Sequence, residues 1–161
     1  MRYFALIVLV IGGCPAAVAG QTQTATLNAA FSGIAKLSLS VASLTFPDAD
    51  PDAVPLVPST PPTVAITARG RATLNGAVTV TVLASDNLRS GVSTLPASMI
   101  TWTATGSGFV DGTLNASTPQ VVGSWTGSGI RSGTQSFFFR NLWTHATGTY
   151  TVTLVYTLSA A

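Results

Sequence analysis

Few residues in this chain carry chemistry. The acidic residues are Asp48, Asp50, Asp52, Asp86 and Asp111, with no glutamate, against seven Lys and Arg and one histidine. Asp48, Asp50 and Asp52 stand at alternate positions, as oxygen ligands do in calcium loops. The glycine and terminal glutamate of a helix–loop–helix calcium site are missing, and Pro51 stiffens the stretch. The same three side chains can instead cap local backbone N–H groups in a solvated turn. Asp111 adds a ligand only where the fold brings it to that loop. His145 would have to face a serine and an aspartate to work as a triad base. No G-x-S-x-G elbow accompanies it. One histidine, and a single cysteine at Cys14, leave no set of ligands for a transition metal. Paired-carboxylate chemistry needs two opposed groups, and the three clustered aspartates share one loop. No catalytic residue is expected, and calcium is the only cofactor to consider. Trp125 and Trp143, next to Gly/Ser pieces and loops, are candidates for an exposed sugar-binding platform. The competing reading folds them over the sheet ends. Trp102 shares a face with Ile100 and Ala104 and belongs to the core.

These residues have to be positioned by strands. Gly148–Leu158 alternates without a break: Tyr150, Val152, Leu154, Tyr156 and Leu158 on one side, mostly threonine on the other. An extended chain turns successive side chains to opposite faces, so this stretch reads as a strand with one buried face. Thr24–Phe31 alternates too, with Ala25, Leu27, Ala29 and Phe31 on one face. So do 34–41, 64–69, 78–84 and 100–105. Asn75-Gly76 is a hairpin signal. Pro47 to Pro62 holds six prolines and reads as a loop or sheet-edge excursion. Residues 85–97 read as a polar loop, and 106–133 as glycine-rich with one short strand near Trp125. Eight or nine short strands and no helical period predict a single all-β domain. Its expected form is an antiparallel, immunoglobulin-like β-sandwich.

Residues 1–20 predict a signal peptide. Arg2 precedes the apolar run Tyr3–Ile11, and Ala17-Val18-Ala19 has the form a signal peptidase accepts. The run is too short for a membrane-spanning helix. Residues 21–161 are then the secreted domain, with no cysteine and a net charge of +1 once Arg2 is removed from the +2 total. Cys14 offers a second outcome, a lipoprotein cleaved before the cysteine. The basic residues form no sustained stripe with stacking aromatics, so nucleic acid is not an expected partner.

Ile100–Thr105 and Gly148–Leu158 resemble two strand motifs of the WxL-type bacterial surface domains. Here Tyr156 stands where that family has Trp, and Ala104 where it has Leu. The resemblance implies a secreted, cell-surface β-sandwich; the family's peptidoglycan attachment is not carried over. The alternating C-terminal strand with its tyrosine is also similar to that of bacterial pilus (fimbrial) subunits. The expected function is therefore a bacterial cell-surface or filament-forming structural or adhesive protein without catalytic activity. A secreted carbohydrate-binding module is the alternative, and a small hydrolase ranks last. Partners are cell-surface components or copies of the chain itself. In the latter case Leu27 and Phe31 lie on a strand that one copy donates to the sheet edge of another, with Ser32-Gly33 as hinge.

Overall fold

A computed structural model describes residues 26–161. The signal peptide, Cys14 and the first two residues of the expected strand at 24–31 lie outside the described residues. The chain divides into two units at Phe31. Of the first, Thr26–Ala30 carry no strand or helix and are exposed, Leu27 to 95%. The expected strand at 24–31 is thus not formed over its described part. A strand needs a partner ladder for its backbone groups, and no strand pairs with 26–31 among the described residues.

The second unit is all-β and its ladders are antiparallel. Its strands are β1 (Ile34–Leu39), β2 (Leu56–Pro58), β3 (Val64–Arg71), β4 (Ala77–Ala84), β5 (Leu88–Ser90), β6 (Ser93–Leu95), β7 (Ile100–Thr105), β8 (Gly112–Thr113), β9 (Gln120–Thr126), β10 (Gly129–Arg140) and β11 (Leu154–Ala160). A single 3-10 turn, Ala97–Met99, precedes β7. One sheet runs β1-β3-β10-β7-β8, with β2 on the distal part of β10. The second runs β11-β4-β9, and β5-β6 is a small hairpin. No helix among the described residues is long and apolar enough to cross a membrane.

Alternation accounts for the core. Val64, Ile66 and Ala68 of β3, Val78, Val80, Val82 and Ala84 of β4, and Ile100 and Trp102 of β7 are all buried. Buried residues of both large sheets belong to one hydrophobic cluster. Trp102 is 2% exposed, donates its indole N–H to the Val110 carbonyl at 2.9 Å, and packs on Phe137. Glycine at 112 is required there, since a Cβ would fall on the indole ring.

Eleven strands replace the eight or nine expected. The extra ones are short, and periodicity over three residues carries little signal. Leu56–Pro58 forms β2 inside the proline-rich stretch, at an edge where the missing proline N–H leaves no gap in a ladder. The supposed polar loop 85–97 holds β5 and β6, closed through Gly91 at φ 57°. Asn75-Gly76 does mark a turn, but not a hairpin: β3 and β4 lie in different sheets, and the connection crosses the end of the core. The last strand begins at Leu154 rather than Gly148. Upstream of it, Thr151 makes an isolated bridge to Arg89.

Candidate functional site

The structure separates some of the sequence candidates and joins others. Asp50 Oδ1 accepts the Asp52 N–H at 2.9 Å, and the Asp50 carbonyl accepts the N–H groups of Ala53 and Val54. Asp52 Oδ1 accepts the Trp143 indole N–H at 3.0 Å. Asp111 lies elsewhere, accepting the Ala104 N–H. Among the described residues no three His, Cys, Asp or Glu side chains are placed to hold a metal ion. The aspartate loop is a side-chain-capped turn. Asn141 ties it to the end of β10 through its amide, which donates to the Ala49 carbonyl at 2.8 Å. His145 packs against the Phe139 ring, its two ring nitrogens buried without hydrogen-bond partners among the described residues.

The two tryptophans do not form one platform. Trp125, half-buried, meets Phe109 edge-on at 5.0 Å and donates to the Ser107 carbonyl at 2.8 Å. It pairs with Val78 at the start of β4. Trp143 is 70% exposed and follows the far end of β10. β4 starts, through the 72–76 turn, at the end of the domain where β3 stops and β10 begins. The tryptophans are therefore at opposite ends.

What the fold does build is an open strand edge over an apolar groove. β11 is the edge of its sheet and pairs only with β4. The phase of that ladder follows from two flanking bonds, Ser85 N–H to the Thr153 carbonyl at 2.8 Å and Ala161 N–H to the Ala77 carbonyl at 3.0 Å. In an antiparallel ladder, residues alternate between those bonding the partner and those facing away. Val155, Thr157 and Ser159 therefore turn their backbone groups to β4. Leu154, Tyr156 and Leu158 turn theirs outward, and no backbone partner meets them among the described residues.

Beneath this edge the side chains of Val152, Leu154 and Tyr156 are half-buried, while their neighbours Val80, Val82 and Ala84 on β4 are 0% exposed. The difference is a groove of ≈ 310 Å³ between β11 and the segment after β1. Its walls include Leu39, Leu44, Phe46, Val152, Leu154 and Tyr156. From this wall the Tyr156 hydroxyl donates to Gln135 Oε1; Gln135 is fully buried, and its Nε2 has no hydrogen-bond partner among the described residues. Burial pushes the Tyr156 phenol well above its ordinary pKa. Sequence reasoning placed Tyr156 and Leu154 on a buried face but not at a groove. The signal was available in the mixed edge Val41–Phe46, which follows β1 with no strand of its own.

No protein-family model matches this chain, and no curated protein matches it.

Proposed function

We propose that this is an exported structural subunit of a bacterial cell surface, which assembles by strand donation. Residues 21–31 of one copy add to β11 of the next. Its two sheets are read as an immunoglobulin-like β-sandwich left one strand short beside β11, with no catalytic role. The observation that carries the reading is the outward-facing backbone of Leu154, Tyr156 and Leu158 above an apolar groove. Such an edge is satisfied by an added strand, the backbone giving affinity and alternate side chains giving fit. Segment 24–31 has the matching pattern. Its threonine and asparagine face one way, and Ala25, Leu27, Ala29 and Phe31 the other. Leu27 at 95% and Phe31 at 77% exposure are apolar side chains in need of cover. Donor and acceptor surfaces differ, so the contact is head-to-tail and need not close.

Export fits residues 1–20 as a cleaved signal peptide, and the likeness to WxL-type and pilus domains rests on what are now β7 and β11. The test is removal of residues 21–31. The chain from residue 21 should form polymers on gel filtration, the chain from residue 32 should run as a monomer, and the free 21–31 peptide should raise its melting temperature through binding to the folded state. A chain from residue 21 that stays monomeric at high concentration overturns the reading.

Sugar binding is the second reading, and it now rests on Trp143 alone, an exposed ring held by Asp52. Titration with polysaccharides, wild type against Trp143→Ala, tests it.

A further inference from the structure

Four cations and three carboxylates are gathered by the fold at opposite ends, with Asp111 beside Ala104 between them. Lys36 and Arg69 are cross-strand partners on one face, and Ile130 follows in the same row. Arg71 and Arg131 lie within two residues of that row, and all four cations are exposed. Like charges directly opposite each other disfavour a strand pair. No acidic partner offsets these, because the one ion pair among the described residues is Arg89–Asp86. The aspartates Asp48, Asp50 and Asp52 lie at the other end, tied to Asn141 and Trp143 beyond β10. All three are exposed, against Arg140 as the cation at that end of β10. From Ile130 to Arg140 the strand advances ten residues, about 33 Å.

The groove and the N-terminal segment are sorted the same way. Phe46, at the groove wall, touches Phe139 near the acidic end, and Asp48 follows two residues later. The segment before β1 leaves from the basic end, where the Arg71 guanidinium lies 5.2 Å over the Phe31 ring.

We infer that the basic end of one copy docks on the acidic loop of the next, with Lys36, Arg69 and Arg71 facing Asp48, Asp50 and Asp52. This rests on the strand-donation reading. A segment leaving the basic end of its own domain and entering a groove that opens at the acidic end of another runs antiparallel to β11. Only Ser32 and Gly33 separate that strand from β1 of the donor, and two extended residues span about 7 Å. The two ends must then approach within one Debye length, about 8 Å at physiological salt, where their attraction is weakly screened. Opposite charge across the junction speeds encounter and sets polarity, and it sets like end against like end at a penalty.

The experiment follows polymerisation of the chain from residue 21 by light scattering, alongside binding of the free 21–31 peptide. Lys36→Glu with Arg69→Glu should slow assembly about tenfold or more. Asp48→Lys with Asp52→Lys should do the same, and the four changes together should restore the rate. Raising salt from about 0.01 to about 0.15 M should slow the wild type, as the Debye length falls from about 30 to about 8 Å. Peptide binding carries no domain end and should be equal in all variants, which also shows that each is folded. A rate indifferent to salt and to charge reversal, or a fourfold variant as slow as its parents, overturns the charged docking while peptide binding persists. Loss of peptide binding in folded wild type overturns the strand-donation reading itself.

Discussion

Gln135 and Tyr156 bring a side-chain polar contact into a mainly apolar interior. The Tyr156 hydroxyl satisfies Gln135 Oε1, so Tyr156→Phe leaves a buried carbonyl without a donor and should cost about 1–3 kcal/mol in chemical denaturation. Adding Gln135→Met to Tyr156→Phe should recover most of that loss, because both partners are then apolar. Burial holds the phenol neutral in the fold. Below about pH 10 folded and unfolded chains are both protonated, and the contribution is complete. Above it the unfolded chain releases a proton that the folded chain keeps, so stability falls as pH rises. That alkaline slope should flatten in Tyr156→Phe. The aspartates give a second prediction: millimolar calcium should leave the melting temperature of wild type and of Asp48→Asn/Asp52→Asn alike unchanged, since Asp50 already accepts an N–H within the turn and Asp52 the Trp143 indole N–H. At this scale the sequence was partly legible. Trp102 was recognisable as core from its neighbours on one face. The roles of Asp52 and Trp143 were not, because their hydrogen bond joins residues 91 positions apart.

Among the strands, β4 and β11 are paired along their length yet differ in cover. The inward side chains of β4 are enclosed by both sheets, whereas those of β11 line an open groove. Substitution should reveal this. Ile66→Ala in β3 should cost about 2–5 kcal/mol, as a cavity is left in closed packing. Leu154→Ala should cost the isolated subunit distinctly less, because part of that side chain already meets solvent, and should weaken binding of the 21–31 peptide. Equal losses of stability at both positions in urea melts would show that β11 is covered like β4. The long alternations, 64–69, 78–84 and 100–105, were legible because one face of each is buried, fully in the first two and up to the half-buried Ala104 in the third. The start of β11 was not: Tyr150 and Val152 keep the period of two through a stretch that bonds to the rest of the fold at Thr151 and Thr153 and forms no continuous ladder, so pattern outran hydrogen bonding. The alternation at 24–31 is the converse case. It has the period of a strand, and in this account it finds its ladder on another molecule.

In the second unit, two large antiparallel sheets, the edge strand β11 and a charge separation along the strands give the described residues a polarity. The class of fold followed from strand spacing and turn residues. The assignment of strands to sheets did not, because a turn such as Asn75-Gly76 reads the same whether it joins neighbours in one sheet or crosses between two. The central claim is that β11 accepts a strand, and amide hydrogen exchange of the chain from residue 32, with and without the 21–31 peptide, tests it most directly. In the free subunit the N–H groups of Val155, Thr157 and Ser159 bond to β4 and should exchange slowly, while those of Leu154, Tyr156 and Leu158 should exchange fast. With peptide bound, Leu154, Tyr156 and Leu158 should become protected as well, giving slow exchange at every position of the strand. Peptide that leaves those three amides fast, or protection of them before any peptide is added, would contradict the account.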